Sequence, residues 1–165
     1  MSTLDLTDRP RIVGVCSGGG HLIQMESLVK AGLPLDYILA PTQVKISTKH
    51  VTVPDCNLRS PLKILSCTLK LLRELRRLRP AVIISTGAAP GGIALAIGTL
   101  FGCKTIWIDS IANAETASLT GKAVKPFSKV WISQWQNVAN DEKGIYIGKI
   151  FNFFEKGPKL VTDVK

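Results

Sequence analysis

The 165-residue sequence predicts an α/β fold, a doubly wound and mostly parallel sheet of Rossmann-like type. Short apolar runs alternate with helical patterns, as expected for strands connected by helices that cover a sheet. Two of those runs end in glycine-rich loops that open helices. Ser17-Gly18-Gly19-Gly20-His21 follows the run Arg11 to Cys16, and Ser85-Thr86-Gly87-Ala88-Ala89-Pro90-Gly91-Gly92 follows Ala81 to Ile84. The length suits one domain with a core of its own.

In chain order, strands are expected at Ile12 to Cys16, Tyr37 to Ala40, His50 to Val53, Ala81 to Ser85, Thr105 to Asp109, Lys129 to Ser133 and Ile145 to Gly148. Each is a short run of β-branched, aromatic or other apolar residues bounded by polar or turn residues. A helix is expected from Gly20 to Lys30, with Leu22, Met25, Leu28 and Val29 near one face and Gly32 and Pro34 stopping it. A long helix runs from Pro61 to Leu78, and an apolar one from Pro90 or Gly91 to Phe101. The segment Gln43 to Ser60 has weak periodicity and reads as loop or short strand. Gly91 to Cys103 is the most apolar stretch, but it falls short of the ~20 residues that span a bilayer, so a buried helix is expected. Residues 11–148 form the expected domain, with 1–10 an N-terminal extension and 149–165 a C-terminal tail. Met1 to Pro10 carries two aspartates and no continuous apolar core, so no signal peptide is expected.

Lysine and arginine number 21 against 12 acidic residues, a net charge of +9 that favours an anionic partner. Much of it sits in one place. From Arg59 to Arg79 there are seven basic residues against Glu74 alone, a local net charge of +6. In the helix Pro61 to Leu78, Leu62, Ile64, Leu65, Leu69, Leu71, Leu72, Leu75 and Leu78 cover more than half the circumference. Lys63, Lys70, Arg73 and Arg77 share the rest, while Arg76 and Arg79 fall within the apolar arc. Such a helix either packs on the core with a solvated outer face or lies against an anionic membrane surface. Nucleic acid is disfavoured, because Trp107 and Trp131 lie within strand patterns rather than in an exposed stacking surface.

Glycines between a strand and a helix let backbone N–H groups approach an anion at the positive end of the helix dipole. Ser17, Gly18, Gly19 and Gly20, and Ser85, Thr86, Gly87 and Gly91, are therefore the expected phosphate contacts. His21 follows the first glycines at a helix start, where the dipole favours neutral imidazole; it is either a general base beside the anion or a residue bonded within its own loop. Asp109, Ser110, Asn113 and Glu115 follow a strand end, the edge where open parallel sheets bind ligands, and either contact sugar hydroxyls or cap and turn the chain. Ser118-Leu119-Thr120-Gly121-Lys122 lacks the upstream glycine of a Walker A loop. The third glycine of a dinucleotide fingerprint is missing, since position 23 is Ile23. No metal-ligand cluster, cofactor motif or nucleophile elbow is present, so neither metal nor cofactor is expected. Cys16, Cys56, Cys67 and Cys103 form no C-x-x-C pair and read as reduced, apolar residues suited to a reducing cytosol.

Taken together, Cys16 to Leu22, Ile84 to Gly91, Trp107-Ile108-Asp109-Ser110, Glu115 with Ser118 to Lys122, and Ser133-Gln134-Trp135 stand in one order. This collection resembles the oligosaccharide-biosynthesis family of the dolichol-pyrophosphate GlcNAc-transferase anchoring subunit and of bacterial exopolysaccharide glycosyltransferase subunits. It is more distantly similar to the acceptor-binding half of MurG. The resemblance runs from about Arg11 to Gly148. It implies the N-terminal lobe of a two-chain GT-B glycosyltransferase, peripheral on the cytosolic face of the membrane, that binds a lipid-linked diphosphate acceptor. A separate catalytic subunit would supply the C-terminal lobe and bring the UDP-sugar. By position, Ser17 to His21 and Ser85 to Gly91 would face the acceptor diphosphate. Many relatives have a basic residue where Asn113 stands, and eukaryotic members begin with a membrane-spanning helix that Met1 to Pro10 does not provide. Two alternatives remain open: a non-catalytic membrane scaffold for a glycosyltransferase, and a stand-alone phosphosugar-binding enzyme. Ile150-Phe151-Asn152-Phe153-Phe154 is expected either to pack on the domain or to form part of a partner-docking surface.

Overall fold

The structure, a computed structural model, describes residues 9–57 and 59–150. Seven strands, β1 (Ile12–Cys16), β2 (Tyr37–Ala40), β3 (Lys49–Thr52), β4 (Val82–Gly87), β5 (Lys104–Ile108), β6 (Val130–Ser133) and β7 (Ile145–Tyr146), form one sheet in the order β3-β2-β1-β4-β5-β6-β7. Every neighbouring pair is parallel. The chain therefore leaves β1 in one direction and returns at β4 to continue in the other, which opens a crevice between them at the carboxyl edge.

Five helices connect the strands: α1 (Gly20–Lys30), α2 (Pro61–Leu78), α3 (Ala88–Leu100), α4 (Leu119–Ala123) and α5 (Gln136–Asp141), with a 3-10 turn at Lys125–Phe127. Strand residues alternate between two cores, as the pleat requires. Val13, Val15, Leu39, Ile83 and Trp107 face Cys67, Leu71, Leu75 and Leu78 of α2 and Ala94, Leu95 and Ile97 of α3. Cys16, Ile38, Ala40, Ile84 and Ile108 face Leu22 and Met25 of α1. The runs are apolar on both faces because both are covered.

The expected strands are all present, β1 and β2 with the expected ends and the other five with at least one end shifted. β4 continues two residues past Ser85, to Gly87, and β7 is only two residues long. Helix α3 starts at Ala88, before Pro90, because a proline in the first turn gives up an N–H that has no helical partner there. The short helices α4 and α5 carry too few residues to show a period in sequence. Ile150 packs in the core beneath α1, and its N–H donates to Gln134 Oε1 at 2.9 Å, so the fold runs past the expected boundary at Gly148. Arg9, within the expected extension, pairs with Asp36 at 2.7 Å. Residues 1–8 and Phe151 to Lys165, and with them most of the aromatic cluster, lie outside the described residues.

Helix α2 divides its wide apolar arc between two environments. Cys67, Leu71, Leu75 and Leu78 are buried, whereas Leu62, Leu65 and Leu69 are 81%, 57% and 57% exposed. Glu74 is buried and bonds Lys70 Nζ at 2.9 Å and Arg77 Nε at 2.8 Å. Two of the four cations expected at a membrane are thus already paired. Arg76 and Arg79, placed by periodicity within the apolar arc, are exposed. Among the described residues no helix is long and apolar enough to cross a membrane.

Candidate functional site

A pocket of ≈ 640 Å³ opens at the carboxyl edge of the sheet. Its wall comes from four segments: His21 of α1, Cys56, Asn57 and Arg59 of the β3–α2 loop, Ala88 and Ala89 at the start of α3, and residues between Ser110 and Thr120, from the end of β5 into α4. The positive end of α3 and Arg59 both belong to its lining. Both favour an anion.

His21 is held from two sides by the neighbouring β4 loop. Its Nδ1 lies 2.8 Å from the carbonyl oxygen of Thr86, and Thr86 Oγ1 donates back to the His21 carbonyl at 2.7 Å. A carbonyl only accepts, so Nδ1 carries a proton, and in the neutral ring Nε2 is the nitrogen with the lone pair. The ring is therefore set as a hydrogen-bond acceptor, or base, at the pocket wall. Gly87 makes room for it. A Cβ at Gly87 would stand 2.3 Å from His21 Nδ1, and the residue's φ of +137° is one that side-chain-bearing residues rarely adopt.

The second glycine-rich loop thus serves His21 more directly than it serves a ligand. Ser85 and Thr86 are fully buried, and Ser85 Oγ accepts from the Gly87 N–H at 3.1 Å, which occupies a donor expected for phosphate. Gly91 lies under the start of α3, where a Cβ would come within 1.9 Å of Ser85 Oγ; glycine here permits close helix–sheet approach. In the first loop, Gly19 has φ +65° and nothing within 4 Å of a Cβ position, and Gly20 is exposed. These residues lie beside His21 with open space before them. Ser17 is buried and its hydroxyl turns onto the Gly18 carbonyl at 3.3 Å.

Asp109 is a hub of the fold. Its carboxylate accepts from Trp107 Nε1 at 3.2 Å, Ser118 Oγ at 2.7 Å, Asn113 Nδ2 at 3.0 Å and Ser118 N at 3.2 Å, and the residue is 1% exposed. Of the two roles open to it in sequence, these bonds are the local one, a buried anchor for the wall segment. Ser110 and Asn113 reach the pocket; Glu115 is exposed and lies outside its lining. Ser118 caps α4 by accepting from Gly121 N at 2.9 Å, which accounts for the Ser-Leu-Thr-Gly-Lys sequence without a phosphate. Gln24 and Gln134, both buried, donate to the Asp109 carbonyl at 3.5 and 3.0 Å and tie α1 and the residue that follows β6 to the same point.

Sequence reasoning counted Arg59 only toward the helix charge. Its position just before Pro61, at the start of a helix on the ligand-binding edge, was the available signal. Asn57 Oδ1 accepts from Arg59 N at 3.0 Å and turns the loop there. All four thiols are free. Burial pushes Cys16 and Cys67 up to about 12, so neither supplies a thiolate at neutral pH.

No protein-family model matches the chain, and no curated protein does. Solved structures do. MurG of Acinetobacter baumannii superposes with TM-score 0.62 at 17% identity, over 78% of this chain and 42% of that one. A UDP-GlcNAc 2-epimerase from Methanocaldococcus jannaschii gives 0.61 at 7% identity, over 84% and 45%. A glycosyltransferase from Rickettsia africae gives 0.58 at 11%, over 86% and 43%. The fold is that of a GT-B lobe. At these identities the likeness concerns architecture, and the chain spans a little under half the length of each structure it matches.

Proposed function

We propose that this chain is the acceptor-binding lobe of a glycosyltransferase of the oligosaccharide- and exopolysaccharide-biosynthesis type. It holds a lipid-linked diphosphate acceptor at the cytosolic membrane face, while a partner subunit with the second lobe binds the UDP-sugar. The observation that carries this reading is the His21–Thr86 bond, which makes Nε2 the acceptor nitrogen of the neutral ring in a pocket whose lining also carries Arg59. Arg59 and the first turn of α3 suit the acceptor diphosphate, and the open backbone at Gly19 and Gly20 suits a second phosphate contact. The acceptor hydroxyl attacks the anomeric carbon as UDP departs from the opposite face with the bonding electrons. His21 Nε2 takes the hydroxyl proton and later yields it to water. Positioning the hydroxyl beside a base of fixed tautomer is this lobe's share of the chemistry.

The exposed leucines of α2 begin next to the pocket, since Pro61 follows Arg59 by two residues. A lipid tail leaving the pocket thus meets an apolar, cation-flanked surface, which supports peripheral attachment. The test is sugar transfer from UDP-GlcNAc, UDP-glucose or UDP-galactose to polyprenyl-diphosphate-linked sugar, by this chain copurified with its second lobe. His21→Asn should lower kcat by roughly 10²- to 10⁴-fold with little change in acceptor KM. Near-normal turnover would leave His21 a loop residue and the chain a scaffold.

A further inference from the structure

At the opposite edge of the sheet lies a second hollow, ≈ 590 Å³, lined by Leu75, Arg76, Arg79, Pro80, Phe101 and Cys103. It sits where α2 and α3 end, remote from the carboxyl-edge pocket. Among the described residues neither Arg76 nor Arg79 has a carboxylate within ion-pair distance, although Lys70 and Arg77 of the same helix are both taken by Glu74. The last carbonyls of α2 do not use these guanidinia either. Leu75 O accepts from Arg79 N at 2.9 Å, and Leu78 O accepts from Arg11. The negative end of the helix is thus partly satisfied by other donors, and two guanidinium groups remain around an apolar floor. Phe101, in the lining, is 43% exposed, and its chain neighbour Leu100 is 85% exposed.

We propose that this hollow is a headgroup site for an anionic phospholipid, with the lipid phosphate between Arg76 and Arg79 and its glycerol and upper acyl carbons over Leu75, Pro80 and Phe101. Charge complementarity calls for an anion, and the apolar floor and rim call for one attached to hydrocarbon. Continuity selects a membrane over an acidic protein segment. Positions 62, 65, 69, 73 and 76 recur every three or four residues on one face of α2, so the exposed leucines and Arg73 lead along a single line to Arg76. The site goes beyond the sugar-transfer reading and does not depend on it, since the chain would bind lipid here whether or not sugar is transferred.

Cys103 reports occupancy, because it lines the hollow and is partly exposed while the other three thiols are buried. Burial pushes its thiol up, so alkylation is run at about pH 8.5 to supply thiolate. Dihexanoyl-phosphatidylglycerol below its micelle concentration should slow Cys103 alkylation at least tenfold, as read by peptide mass spectrometry. Dihexanoyl-phosphatidylcholine, inorganic phosphate and a polyglutamate peptide should leave it nearly unchanged. Arg76→Gln with Arg79→Gln should abolish the protection and weaken partition onto vesicles containing phosphatidylglycerol by about tenfold, without changing sugar transfer to a detergent-dispersed acceptor. Equal protection by phosphate would make this a free-anion site, and protection by polyglutamate a peptide site. Either result, or no protection of the unsubstituted chain, overturns the proposal.

Discussion

At the residue scale, the His21 ring is held by a carbonyl 65 positions away in sequence. His21 was legible because it follows three glycines at a helix start. Its tautomer was not, because the bond that fixes it comes from Thr86 and exists only once β1 and β4 are neighbours. Gly87 illustrates the same point. In sequence it reads as a phosphate-loop glycine; in the fold, its missing Cβ is space for the imidazole. Gly87→Ala should therefore displace the His21 ring and reduce turnover of the assembled enzyme by about 10²-fold or more, approaching the effect of His21→Asn. Thr86→Val, which keeps the carbonyl and removes only the Oγ1 bond, should cost much less activity. A Gly87→Ala enzyme as active as Thr86→Val would detach the glycine from the histidine. For Asp109 the sequence left sugar contact and local capping open, and the bonds in the fold are local, since a carboxylate at a strand end is drawn inward wherever an indole N–H, a hydroxyl and an amide converge on it.

At the element scale, strand positions were legible because apolar runs covered on both faces need no knowledge of their partners. The short helices were not, and neither was the division of labour on α2. Periodicity finds one broad apolar arc; only packing separates the core leucines from Leu62, Leu65 and Leu69. Serine at these three positions should leave the melting temperature within a few degrees, since little buried surface is lost. Leu71→Ala, by contrast, should cost about 2–5 kcal/mol. The triple serine variant should bind phosphatidylglycerol-containing vesicles at least tenfold more weakly, and unsubstituted binding should fall as salt rises. Unchanged sedimentation with vesicles would remove α2 from the membrane contact. Glu74 provides a second test on the same helix. Burial raises its carboxyl, but hydrogen bonds and charge from Lys70 and Arg77 outweigh that and hold it below the usual carboxylate range. A depressed folded value means the contribution to stability is complete above the unfolded value near 4.5 and is lost as pH falls through the folded one. Glu74→Gln should thus cost on the order of 1 kcal/mol at pH 7, limited by the exposure of the two cations. The gap from the unsubstituted protein in a pH series of thermal melts should narrow below about pH 4. A gap that persists undiminished at pH 3 would assign the effect to packing.

At the scale of the whole molecule, the reversal of strand order between β1 and β4 places His21, the start of α3 and the Ser110–Thr120 wall around one crevice, and every group named for chemistry lies on that edge. The crevice has a floor and sides but faces outward, and the solved structures with this fold are more than twice as long as the part that matches. A base alone does not activate a UDP-sugar; the donor must be held with its anomeric carbon in line with the acceptor oxygen, and the leaving diphosphate must be stabilised. Among the described residues, Arg59 is the one lysine or arginine in the pocket lining and the starts of α1 and α3 border it, a set that the proposed function assigns to the acceptor diphosphate. The purified chain should accordingly bind a soluble polyprenyl-diphosphate analogue weakly and transfer no sugar, and adding a polypeptide that carries the second lobe should restore transfer. Saturating UDP alone should not change its affinity for the acceptor analogue, because the proposed function puts the uridine site on the other lobe. Calorimetry with the analogue and UDP, together with a radiolabelled transfer assay, separates these outcomes. Sugar transfer by the chain alone would place both sites within these 165 residues and end the two-lobe account.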